Sequence, residues 1–121
     1  MANQIRYYYN GELVRTSAHA YTHAVLDEKG KCIACRNGLD NAIKAKEAEK
    51  QWDKRIIRDS QTAIKALQAG RTYYIYKIGG AACKYRFEDG DTVTKYQEQI
   101  ERATAHIAVI DGYQVVELEA K

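Results

Sequence analysis

Short runs of β-favouring residues, joined by glycine-containing turns, alternate along the chain with two segments whose apolar residues recur every three or four positions. Ile5 to Tyr9 and Glu12 to Thr16 flank Asn10-Gly11, a pair that accepts the positive φ angles of a tight type I′ turn and so predicts a hairpin. Ile107 to Ile110 and Tyr113 to Glu117 flank Asp111-Gly112 and predict a second. Tyr21 to Leu26 and Lys31 to Cys35, joined through Asp27-Glu28-Lys29-Gly30, predict a third. Thr72 to Ile78 and Ala82 to Phe87, meeting at Gly79-Gly80, predict a fourth.

The stretch from Leu39 to Gln68 contains no Gly or Pro, is rich in Ala, Lys and Glu, and is closed by Gly70, which predicts one long helix over about 39–68. At 1.5 Å per residue it would run roughly 45 Å, longer than a domain of this size is wide, so part of it must project or pair. Its apolar positions fall on two lines, Ile43, Ile57 and Ile64 on one and Ala45, Trp52, Ile56 and Ala63 on the other. One face is expected to cover the chain's own sheet and the other to meet a second subunit. A shorter helix over about 92–106 follows from Val93, Tyr96, Ile100, Ala103 and Ile107, with Asp91 or Thr92 as its cap and Thr94 with Gln97 as a capping-box alternative. The order ββββ, long α, ββ, α, ββ places the chain in the α+β class, with a mainly antiparallel sheet built from hairpins and helices against it.

Composition narrows the reading. A length of 121 residues with 45% hydrophobic residues suits a single domain, 1–121, that needs no disulfide or structural metal to fold. No apolar run approaches the roughly 20 residues of a membrane span, and the start Met1-Ala2-Asn3-Gln4-Ile5-Arg6 lacks the apolar stretch of a signal peptide. A cytoplasmic protein without membrane contact is expected. The net charge of +3 is too small for a protein that coats long nucleic acid, yet compatible with a single anionic ligand. Ten Tyr against one Phe and one Trp suits surfaces that are half buried and half wet, such as interfaces and ligand pockets. Three cysteines, an odd number, read as free thiols in a reducing compartment.

Cys32-Ile33-Ala34-Cys35 invites a zinc or thiol-exchange reading. On a strand, positions three apart point to opposite faces, so the two thiols are not expected to converge on one ion. The remaining donors, Cys83, His19, His23 and His106, form no second paired motif. No metal and no cofactor are therefore expected. A redox role lacks a helix N-terminus to lower a thiol pKa. Ser17, His19 and His23 fall within seven residues, but no nearby carboxylate is placed to orient either ring, so ligand contact is expected of them rather than catalysis. No phosphate loop, HExxH or paired-carboxylate signature occurs, and no catalytic set is assigned.

Lys46, Lys50, Lys54 and Arg58 form a ridge of like charges at four-residue spacing, which Glu49 and Asp53 are placed to relieve as a solvated face. Arg55 and Arg58, beside Trp52, Ile56 and Ile57, are a more suggestive pair for an anion at a symmetry axis. The most informative constellation mixes guanidinium groups and rings on strands: Arg15 and Thr16, Tyr21 and His23, Arg36 and Asn37, Arg86 and Phe87. A nucleotide needs a flat ring for its base, a fork of donors for each phosphate, and polar groups for ribose or base edges. Structural pairing across strands produces the same residue types, and both readings stay open at this point.

Tyr8-Tyr9-Asn10-Gly11-Glu12-Leu13-Val14-Arg15-Thr16-Ser17, then Tyr21-Thr22-His23-Ala24-Val25, then Ile33-Ala34-Cys35 before a long charged helix, resemble the Thoeris anti-defence proteins of the first type. These are a phage family of small sponges for immune signalling nucleotides. The resemblance covers the first half of the chain by motif and the second half by element order. It implies a non-enzymatic protein that binds cyclic ADP-ribose isomers made by TIR-domain enzymes and withholds them, uncleaved, in the cytoplasm of an infected bacterium. It also implies homo-oligomers built from dimers, some of them hexameric, and some family members take cyclic di- or trinucleotides at a separate basic site. Carried onto this chain, the small ligand lies at a subunit interface among Arg15, Thr16, Tyr21, His23 and Arg36, with Arg86 and Phe87 added on chemistry alone. Arg55 and Arg58 would form the second site. The alternatives are an enzyme that degrades the same messenger through His19 and His23, and an inhibitor that grips a host protein or nucleic-acid complex.

Overall fold

The Asn10-Gly11 turn forms as its residues dictate, with φ of 49° and 79°, and joins β1 (Ile5–Tyr9) to β2 (Glu12–Ser17). The computed structural model describes residues 3–121, and its architecture is α+β with antiparallel strand pairing throughout. By internal contacts the chain divides into two units, the first running to Lys50 and resuming at Ala108–Lys121, the second spanning Gln51–Ile107.

In the first unit β3 (His23–Leu26) lies between β4 (Cys32–Arg36) and β7 (Gln114–Glu117), while β1 lies between β2 and β8 (Glu119–Ala120). Ala24 and Leu26 face Cys35 and Val116, with Tyr9 and Val14 of the other sheet packed on them. Val25 faces the opposite way, with Ala34, onto Ala42 and Ala45 of α1 (Leu39–Ala48). Covered on both faces, Ala24-Val25-Leu26 of β3 form an apolar run, the pattern of a buried central strand.

In the second unit α2 (Gln51–Gln68) buries Ala63 and Ala66 against the inner face of the hairpin β5 (Tyr73–Ile78) and β6 (Ala81–Arg86). Tyr96 of α3 (Val93–Asp111) completes that core. Thr92 is the working cap: its Oγ1 accepts the Lys95 N–H at 3.2 Å, the bond that satisfies one orphan donor of the first turn. Among the described residues no helix is long and apolar enough to cross a membrane.

Two elements differ from expectation. The helical stretch over 39–68 is present but interrupted at Glu49-Lys50, where backbone bonds reach only three residues back, to Lys46 and Glu47. Lys50 itself is buried, and its ammonium pairs with Asp111 and with Glu47 at 3.1 Å, both of which hold its pKa above the usual lysine value. Its relief thus comes from Glu47 and Asp111, whereas Asp53 turns to His106. The expected hairpin at Asp111-Gly112 does not form. Residues 107–110 continue α3, with Ile110 1% exposed, and the Gly112 and Tyr113 amides close its end on the carbonyls of Val109 and Ile110. Tyr113 to Glu117 accordingly supplies β7, which pairs with β3.

Candidate functional site

Arg15 and Tyr21 come together in the first unit. Tyr7 and Arg15 are directly opposed on β1 and β2, and the Arg15 guanidinium stands 5.9 Å from the centre of the Tyr21 ring. Tyr7 fixes that ring: its buried hydroxyl donates to the His19 carbonyl at 2.6 Å and accepts the Tyr21 N–H at 2.9 Å, while the rings meet tilted at 5.6 Å. The His19 ring stands 6.2 Å from the Tyr21 ring, centre to centre. The Arg15 guanidinium, the Tyr21 ring and the His19 imidazole therefore share one partly exposed surface over the buried Tyr7.

His23 and Arg36 form a second pair, opposed on β3 and β4, with Glu117 opposite His23 on β7. Alternation sends this row to the sheet face opposite Ala24 and Cys35. The Thr22 hydroxyl bridges His23 Nδ1 and the Gly38 N–H, both at 2.7 Å, and accepts from the amide. Arg36 is exposed and folds back along its edge strand, donating from Nη1 to the Cys35 carbonyl at 2.7 Å. Thr16 is exposed on β2, opposite Arg6.

The Cys32 and Cys35 side chains overturn the expectation drawn from strand alternation. Cys32 pairs with Leu26 and Cys35 with Ala24, four residues of β4 matched to three of β3, so β4 carries a bulge that returns both cysteines to one face. Their sulfurs lie 3.5 Å apart. Burial, aided by the Cys32 hydrogen bond, lifts the Cys35 thiol to about 11, and the positive charges of Arg15 and Arg36 oppose that shift. Among the described residues no group of three or more His, Cys, Asp or Glu side chains converges to hold a metal ion.

Arg86, Phe87, Arg55 and Arg58 belong to the second unit. Phe87 packs into an aromatic core with Tyr74, Tyr85 and Tyr96 at centroid distances of 5.2, 6.1 and 6.2 Å, and Arg86 is exposed opposite Tyr73. Burial pushes Tyr74 up to about 12 and Tyr96 upward as well. Arg55 lines a cavity of about 280 Å³ with Trp52, Tyr74, Tyr76, Tyr96 and Gln99. Arg58 is exposed beside Asp59, 4.0 Å away. Gln99 also lines a neighbouring cavity of about 370 Å³ with Asp53 and Arg102. There Asp53, almost fully buried, accepts from His106 Nδ1 at 2.5 Å and orients a half-exposed imidazole. Sequence reading missed this pair, since 53 residues separate its members and only the adjacency of α2 and α3 joins them. Comparison with protein-family models, curated proteins and solved structures finds no match for this chain.

Proposed function

We propose that this protein is a sponge for a small phosphorylated signalling nucleotide of the cyclic ADP-ribose type, held on the first unit and released unchanged. The observation that carries the reading is the Arg15 guanidinium over the Tyr21 ring, with Tyr7 holding that segment through the His19 carbonyl and the Tyr21 N–H. Arg15 and Arg36 supply donor forks for a pyrophosphate, and Tyr21, His19 and His23 supply a ring surface and polar edges for base and ribose.

Magnitudes bear on the assembly. Two charge-assisted contacts at about 1.5–3 kcal/mol each and one stacked base at about 1–3 kcal/mol give roughly 4–9 kcal/mol before ordering costs, millimolar to sub-micromolar binding. A sponge needs tighter capture, so a second copy is expected to add its own groups, and exposed Leu39 and Ile43, one turn apart on α1, offer it an apolar footing. The cavity of Trp52, Arg55, Tyr76 and Gln99 suits a base of a cyclic oligonucleotide as the second site.

One observation favours a second reading. The Asp53–His106 pair beside the cavity lined by Arg102 has the form of an oriented general base, which a messenger-degrading enzyme would use. Incubation with cyclic ADP-ribose isomers, heat denaturation and chromatography of the supernatant separate the two. Depletion from solution before heating and recovery of the intact nucleotide afterwards support a sponge. A new product peak that disappears with His106→Ala supports the enzyme.

A further inference from the structure

The bulge in β4 does more than reposition a side chain. Matched to Leu26 and Ala24, Cys32 and Cys35 occupy the places of same-face neighbours, which strand geometry sets roughly 6.6 Å apart at Cα, within the span a disulfide bridges. With the sulfurs at 3.5 Å, only a small closing motion separates two thiols from a bond. Their exposures differ in a useful way. Cys35 is 0% exposed, whereas Cys32 is half buried and lines an open groove of about 310 Å³ together with Tyr9, Val14, Leu26 and Lys31. A small oxidant entering that groove meets Cys32 first.

We propose that Cys32 and Cys35 form a modifiable dithiol that a hydroperoxide converts to an intrastrand disulfide. The Cys32 thiolate attacks the terminal peroxide oxygen, the O–O bond breaks, and the departing oxygen takes a proton to leave as alcohol, or as water from hydrogen peroxide. The Cys35 sulfur then attacks the resulting Cys32 sulfenic acid, the S–S bond forms as the S–O bond breaks, and the hydroxide leaves as water with the Cys35 proton. Two thiols lose two electrons and two protons, and one hydroperoxide is reduced. Cys35 gives up its proton as its sulfur attacks, and that proton leaves with the hydroxide as water. The inference stands apart from the nucleotide reading, because it uses neither guanidinium.

The test uses the full chain with Cys83→Ser, which leaves Cys32 and Cys35 as its thiols. After hydrogen peroxide treatment and denaturing alkylation with N-ethylmaleimide, the intact mass is expected to fall by about 2 Da with no label added, and dithiothreitol before alkylation restores two labels. In the same background Cys35→Ser stops at a Cys32 sulfenic acid that dimedone captures, and Cys32→Ser slows oxidation of Cys35 by at least about tenfold. Two alkylatable thiols surviving excess peroxide, separate sulfinic acids without a disulfide, or chain-to-chain linkage would each overturn the proposal. The first measurement keeps both native cysteines, so poor folding of a variant leaves it decisive.

Discussion

Tyr7→Phe removes one oxygen and nothing else from the point where the first hairpin meets the segment that carries Tyr21. Tyr7 is 2% exposed, and Phe keeps its ring, its place in the core and its tilted contact with Tyr21, so no cavity opens. The lost oxygen serves two bonds, to the His19 carbonyl at 2.6 Å and from the Tyr21 N–H at 2.9 Å. At a net value of about 1 kcal/mol per bond the substitution costs about 2 kcal/mol, and the orphaned Tyr21 amide keeps the figure from falling lower. With a urea slope of about 1.5 kcal/mol/M that is a fall in midpoint of roughly 1.3 M at unchanged slope. Urea titration followed by circular dichroism reads the midpoint directly. A shift under about 0.3 M would show that the hydroxyl does not anchor this segment, and the explanation given for the placement of Tyr21 beneath Arg15 would be wrong.

Arg15→Ala and Arg36→Ala are each expected to weaken nucleotide binding at least about tenfold, read by calorimetry, with the urea midpoint of the free protein nearly unchanged. Thr92→Ala removes the cap bond at the start of α3 and is expected to cost about 1 kcal/mol in the same titration, while Thr92→Ser retains most of it. Tyr74, raised to about 12, contributes stability that is fully present below the unfolded tyrosine value near 10 and is lost as pH rises from there through about 12. Tyr74→Phe should flatten that alkaline decline in thermal melts between pH 10 and 12; an equal decline in both proteins would contradict the assignment.

Much of the fold was legible because its signals are local. The Asn10-Gly11 turn, the Gly79-Gly80 turn and the Gly70 stop each follow from which residues tolerate positive φ, and all three occur. Asp111-Gly112 misled for the same reason: the dipeptide suits a hairpin, yet the stripe through Ala103 and Ile107 extends to Ile110, and a helical continuation buries that side chain where a strand would have broken the period. At the interruption at Glu49-Lys50 the Lys50 ammonium pairs with Asp111, 61 positions further along, a contact no window along the chain could reveal. Cys32 and Cys35 show the limit of alternation, because a bulge resets the period of a strand and depends on the partner's register rather than on the bulged residues alone. Of the expected ligand residues, spacing recovered the Arg15–Tyr21 and His23–Arg36 pairs, which neighbouring strands bring together. It left out Tyr7, whose part rests on a hydroxyl reaching 12 residues along the chain to His19.

The central claim is that this chain holds a cyclic phosphorylated nucleotide intact through Arg15 and its ring partners. Native mass spectrometry of the protein with and without cyclic ADP-ribose isomers, repeated on Arg15→Ala, tests it most directly. The expected spectrum shows the unaltered mass of one isomer retained by an oligomer of the native chain and lost from the variant. Bare protein at every isomer, or equal retention by Arg15→Ala, would contradict the account.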